Sequence, residues 1–392
     1  MTELANTGAI PMTTVVEPEI TPTLRAIAIV AVVGVVSGIV ALTCGGYWLS
    51  NFTQAYCMTM AVLGCALLYG QLGLVSLCQW ALVGAGGWVS LRVYHYIHPP
   101  FIVTILAGGV GASLIGMIWG LPALRMRGLY LALVTLMLAG AFQVLVAVIS
   151  FPVGGPGFFG QVGASGNDRI NMARPIFASG DTGYFLFVAF ITLLCIFLVE
   201  AHRRSKPGRA WALIRKSEQM AAASGVRVVF YKAWAFALSG FLAGVAGALL
   251  AGLFGQLDAS AFPPTTSIVI FIGMLLGGFE VWLGAFLGGV LTRFVPALLI
   301  DLNVNTNAGF VIFGAALLFA LRDPLGIGGQ LTLLAERLYV NLQKHPNGGG
   351  VQINLIAERL NKKLADAFGL GRQLTLMAER LYRRSRRDAR HD

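Results

Sequence analysis

Charge is what this sequence has least of. Asp, Glu, Lys and Arg make up 11% of its 392 residues, less than half of the roughly 25% that keeps an ordinary globular domain in water. The shortage is concentrated in long runs. Residues 26–91 contain no Asp, Glu, Lys, Arg or His, and neither do 128–167 or 233–257. A soluble core is excluded, because at about 20 residues per crossing the first run alone has room for three membrane spans. In lipid every backbone N–H and C=O must be paired within the protein. Runs of this length therefore predict an all-α, polytopic membrane protein.

Other absences narrow the chemistry. The five cysteines, Cys44, Cys57, Cys65, Cys78 and Cys195, lie in apolar stretches without C-x-x-C spacing, which predicts small buried hydrophobes and no metal site. There is no Gly-Lys dipeptide, hence no phosphate loop, and no H-E-x-x-H or G-x-S-x-G. No enzyme activity, cofactor or ATP site of its own is expected. The histidines, at 95, 98, 202, 345 and 391, avoid mid-span positions, which argues against a histidine proton relay. The few ionisable groups near membrane depth, Glu200, Asp258, Glu280, Arg293 and Asp301, fall mostly near span ends, where snorkelling or pairing accommodates them. The N-terminus carries Glu3, Glu17 and Glu19 without an early Lys or Arg, unlike a secretory signal. Residues 1–24, rich in Thr and Pro, are expected to form a disordered cytoplasmic N-terminus.

Ten spans account for the apolar pattern: 26–48, 52–70, 73–91, 101–121, 128–149, 183–200, 233–254, 264–279, 282–300 and 304–321. Together they make a transmembrane domain over 25–322, followed by a basic tail over 323–392. Positive residues favour the cytoplasmic side. If both termini lie inside, Arg25, Arg125, Arg127, the 201–232 loop and Arg322 share one face, and only Arg92 opposes the rule. The neutral, Gly- and Pro-rich loop over 150–182 then faces outward. Small-xxx-small pairs at Gly240/Gly244, Gly273/Gly277 and Gly284/Gly288 predict close helix approach.

Two segments stand out. Over 70–79, GQLGLVSLCQ, two glycines and the polar Gln71, Ser76 and Gln79 interrupt a hydrophobic run. This reads as a broken helix lining a cavity, as a tight turn between two spans, or as both. The second segment is the 201–232 loop, with eight Lys or Arg over 203–232 against one acid, Glu218. Its Ala-rich helical centre lies between Gly208 and Gly225 and suits docking by an external motor. The residues thus describe a transport route with no engine, which points to a permease driven by a separate ATPase. The alternative is a secondary carrier or channel for small solutes.

Four ordered blocks carry a family resemblance: GQLGLVSLCQWALVGAGGW (70–88), GLPALRMRGLYLALVTL (120–136), the stretch from Gly208 to Ala251, and FALRDPLGIGG (319–329). The chain resembles the LivM-like permease subunits of branched-chain amino-acid ABC importers over roughly 55–328. The resemblance implies a type II-like importer permease in the inner membrane, assembled with a second, paralogous permease, two ABC ATPase subunits and an external solute-binding protein. ATP would be bound by the partner subunits. Membrane lipid is a further partner; nucleic acid is not expected, since the net charge of +11 is not organised on a recognisable module. Carried over by motif, Gly208, Arg215, Glu218, Ala221, Ala223 and Gly225 form the ATPase-coupling element. Gln71, Ser76, Gln79, Thr135 and Glu280 are the expected translocation residues. The chain departs from the family pattern at Ala222, in the coupling loop, and at Leu74, Cys78 and Glu280, which leave the solute open among branched-chain amino acids, urea, short amides and other small organic solutes. The tail lies outside the pattern. In it QLTLLAERLY (330–339) recurs as QLTLMAERLY (373–382), with NLIAERL at 354–360. Basic amphipathic helices on the inner leaflet, or docked on an ATPase, are the two readings.

Overall fold

A computed structural model describes residues 22–124, 126, 128–149, 172–175, 178–279, 282–301, 311, 314–315 and 326–331, without the side chains of 22–28 and 123–124. Most of the tenth expected span, Glu280, Arg125, Arg127, Arg322, most of the 150–182 loop and nearly all of the tail repeats lie outside the described residues.

The described residues contain helices and no strand. In order they are α1 (Pro22–Thr43), α2 (Gly46–Leu72), α3 (Gln79–Ile97), α4 (Phe101–Trp119), α5 (Leu129–Ile149), α6 (Asp181–Arg204), α7 (Lys206–Lys216), α8 (Glu218–Ala223), α9 (Val228–Phe254), α10 (Pro264–Gly277) and α11 (Trp282–Asp301). All eleven belong to one compact unit, which ends at Gln330. Seven stretches are long and apolar enough to cross a membrane: α2, α4, α5, α6, α9, α11 and Ala259–Gly277, which contains α10. Among the described residues seven stretches thus meet the length and composition of a crossing, against the nine spans expected there. The described apolar part of α1, Ile29–Thr43, is shorter, and α3 is diluted by Gln79, Ser90, Arg92 and His95.

The second and third expected spans are displaced. The chain breaks at Cys44–Gly45, and α2 then runs for 27 residues instead of starting at 52. Gly73 ends it in the left-handed region (φ 70°), with its own N–H and that of Leu74 bonded back to Tyr69 and Leu68. This is the carbonyl-satisfying glycine cap of a helix C-terminus. Helix resumes at Gln79, six residues later than expected at 73, because 73–78 is not helical.

α2 and α9 pack on each other and form the centre; both are nine-tenths buried in their apolar windows. α3 and α4 lean on α9, while α10 and α11 lean on α2. Small residues set the distances. A Cβ on Gly244 would strike the Gly108 carbonyl of α4, and one on Gly277 or Gly288 would strike the facing backbone between α10 and α11. All three expected glycine pairs therefore serve close approach. The two trios, α2–α3–α4 and α9–α10–α11, run in opposite senses. α4 passes from Phe101, beside Gly252, toward Gly116, beside Phe236. α11 runs the other way, from Gly284, against the α10 end, to Phe294, against Trp48. This inverted arrangement shows in the sequence as Gly-Gly-Val at 108–110 and 288–290, and as Gly-Gln-Leu at 70–72 and 255–257.

Candidate functional site: two broken helices and the helices that hold them

The segment 73–78 travels inside the bundle. Ser76 is buried, and its carbonyl accepts a 3.6 Å bond from the thiol of Cys65, two turns back along α2 from Leu72. Gln79 is wholly buried; its side-chain amide donates to the Ser239 carbonyl (3.2 Å) and accepts from the Ser239 hydroxyl (3.1 Å). Ser239 lies eleven residues into α9, about 16 Å from its start at 1.5 Å per residue. So α3 begins partway along the bundle rather than at its end.

Non-helical backbone at such depth needs partners for its N–H groups. Thr135 of α5 accepts from Leu77 N–H (2.9 Å) and donates to the Ala132 carbonyl (3.0 Å). Ser267, in the first turn of α10, accepts from Trp80 N–H (3.1 Å). The Trp80 indole donates to the Ala261 carbonyl (3.0 Å) and lies against Phe262. The first turns of α3 and α10 therefore meet inside the protein. α10 is itself a half-length helix of 14 residues, preceded by an irregular stretch, 255–263. Two helices are broken at corresponding places in the inverted arrangement, and the breaks face each other. The expectation of an interrupted helix over 70–79 holds, and so does the turn: Gly73 turns the chain, and 73–78 is the interruption.

Three of the expected translocation residues, Ser76, Gln79 and Thr135, come together here. Gln71 does not join them. It lines a crevice nearer the end of α2, with Glu200 and Arg203 of α6 and Trp282 of α11. Glu280 lies outside the described residues. Sequence reasoning missed Ser239, Ser267 and Trp80. The signal for Ser239 was available: beyond Lys232 it is the lone polar side chain among Gly, Ala and large apolar residues of α9, apart from the indole of Trp234, and so a hydrogen-bonding position in an apolar setting.

At one end of the bundle α7 and α8 form a helical pair. Trp211 is fully buried and its indole donates to the Tyr231 carbonyl of α9 (2.9 Å). Gly208 abuts the Arg203 carbonyl so closely that no Cβ fits. Ser217 caps α8 by accepting from Met220 N–H (3.3 Å), and Gly225 closes it at φ 79°. The six expected coupling residues divide by direction. Ala221 is fully buried. Glu218 forms a 2.8 Å ion pair with Lys232, a lysine only 1% exposed in the first turns of α9. The Arg215 guanidinium donates to the Gly70 carbonyl (2.5 Å). Ala223 and Gly225 are exposed, as are Gln219, Met220 and Ala222. The pair thus has an inner face locked to the transmembrane helices and an outer face of small and flexible side chains. With Lys232 buried and Glu218 half-buried, the pair constrains geometry more than it adds stability, because desolvation of the lysine offsets much of the attraction. Among the described residues no group of three or more His, Cys, Asp or Glu could hold a metal ion.

This architecture is that of a multi-pass membrane protein with an interrupted interior and a helical pair at one end. The family model of the branched-chain amino acid transport system permease component matches residues 47–321, and the chain belongs to that family. It is 26% identical over 292 residues to the high-affinity branched-chain amino acid transport system permease protein LivM of Salmonella typhimurium, covering 69% of this chain and 68% of that protein. The Escherichia coli protein of the same name is 26% identical over 282 residues, covering 68% of this chain and 66% of its own length. No solved structure matches the chain.

Proposed function

We propose that this chain is the transmembrane permease subunit of an ABC importer for branched-chain amino acids or a similar small polar organic solute. Separate ATPase subunits drive it by engaging the outer face of α8. The observation that carries this reading is the two-sided construction of α7–α8. One side is tied to α9 by Lys232–Glu218; the other presents Gln219, Met220, Ala222 and Ala223. Small exposed side chains on a short capped helix allow close docking in a cleft. The ion pair hands any displacement to α9, which touches α2, α3 and α4. ATP shifts the balance of two states only through its different affinity for them.

The proposed assembly holds two ATPases, this chain, a second paralogous permease and an external solute-binding protein, in the inner membrane. The basic character of the 201–232 loop supports a cytoplasmic α7–α8 end, with both termini on the same side. The tenth span, 304–321, belongs to the same proposal, as does a basic tail that meets anionic lipid. Uptake of labelled leucine by cells carrying the complete importer tests the reading. The expected result is uptake that vanadate blocks and a protonophore spares. Uptake that a protonophore abolishes and vanadate leaves untouched would overturn it.

A further inference from the structure

We infer that Arg215 is a positioning residue that ties the coupling pair to both broken helices at once. The inference rests on the importer reading and goes beyond it. Lys232–Glu218 leads to α9. Arg215 leads elsewhere. Its guanidinium donates to the carbonyl of Gly70, two residues before the end of α2, and stands 5.8 Å from the ring centre of Phe279, just past the end of α10. Its aliphatic stem passes within contact distance of the position a Cβ would take on Gly73, the residue that turns α2 into the interruption. Gly70 itself has no room for a side chain, because the Phe279 carbonyl lies 2.7 Å from where its Cβ would be. The ends of α2 and α10 are thus pressed together with Arg215 over the joint.

The chemistry suits this place. Two helix C-termini present carbonyl oxygens and a partial negative charge, which attract a cation. A planar guanidinium can donate to the carbonyl and also lie over an aromatic ring; an ammonium can do the first but does the second less well. α2 and α10 are the helices next to the interior breaks, so a shift of α7 is carried through Arg215 to 73–78 and to the Ser267 end of α10. Glu218 moves the frame, and Arg215 moves the interrupted segments within it.

The test uses the intact importer purified through a tag on this chain and reconstituted in liposomes, with leucine as the probe. Two quantities are read: ATP hydrolysed per leucine transported, and the rate of maleimide labelling at Val75→Cys, inside the first interruption, with and without vanadate trapping. In Arg215→Gln the ratio is expected to rise about tenfold, and vanadate is expected no longer to change labelling. Arg215→Lys, which keeps the charge and loses the stacking, is expected to fall between Gln and the unaltered protein. Phe279→Ala, which leaves the charge untouched, is expected to raise the ratio by a smaller factor. If Arg215→Gln keeps both the ratio and the vanadate response, the tether is wrong and the importer reading stands. If labelling in the unaltered complex ignores vanadate while ATP is hydrolysed, nucleotide does not reach the interruption and the tether falls as well. A complex that neither hydrolyses ATP nor moves leucine overturns the importer reading together with this inference.

Discussion

The two interruptions occupy corresponding places but are held differently. In the first, 73–78, the backbone relies on groups distant in sequence: Thr135 for Leu77, Ser267 for Trp80, and Cys65 for Ser76. The second, 255–263, takes two bonds from outside, from Met172 N–H to the Gly255 carbonyl and from the Trp80 indole to the Ala261 carbonyl, but its own N–H groups close on its own turns. Gly255 caps α9 at φ 73°, the Asp258 carboxylate takes Ala259 N–H (3.1 Å), and Ala261 and Phe262 bond back to Asp258 and Ala259. A locally closed turn keeps its shape when neighbouring helices shift. A segment hung on the hydroxyls of α5 and α10 follows them. The first interruption is therefore the one built to respond to its neighbours, and the second is built as a fixed corner.

Three tests sharpen that contrast, beginning with the largest effect. Gly247→Leu, on α9 where α3 crosses it, puts a side chain into the Val83 carbonyl. Backbone cannot yield as a side-chain tip can, so no folded protein is expected in detergent extracts, judged by a monodisperse peak on size exclusion. Next, Lys232→Met takes the ion-pair partner from the half-buried Glu218 carboxylate and should cost about 1–3 kcal/mol. Adding Glu218→Gln should recover most of it, seen as a restored thermal midpoint; a double variant as weak as the single would show that the ion pair is not the connection. Smallest is the direct comparison of the interruptions. Thr135→Val leaves the buried Leu77 N–H unpaired at a cost of about 1–3 kcal/mol. Asp258→Ala, at an exposed turn, should stay within about 0.5 kcal/mol. Equal effects on thermal stability would erase the difference between a hung segment and a fixed corner.

Much of this was legible in the sequence. Charge-free runs announced the helices, and the glycine pairs announced where they meet, since only small residues allow backbones to touch in an apolar setting. The interruption at 70–79 was readable because polar groups and glycines are costly in a hydrophobic run without a purpose. Three things were hidden. The length of α2 was obscured because Gly45 and Gly46 resemble the interior of a span, and only the backbone at Cys44–Gly45 marks the start. The inner roles of Arg215 and Glu218 were hidden because a basic loop reads as solvent-facing, and nothing local says that Lys232 is buried. The partnership of Thr135 and Ser267 with one segment joins residues 58 and 187 positions apart from their bonded mates, a relation that only the fold creates.

Lys232 and Ser239 stand seven residues apart on α9, two turns on one stripe. One end of that stripe grips the α7–α8 pair, and the other grips Gln79 at the mouth of α3. An α-helix turns by about 100° per residue, so one residue inserted between them would swing the two grips to different sides of α9. Every side chain would still be present and every helix still apolar. Length between fixed points, more than the identity of the residues spanning them, is what natural variants of this stretch have to keep.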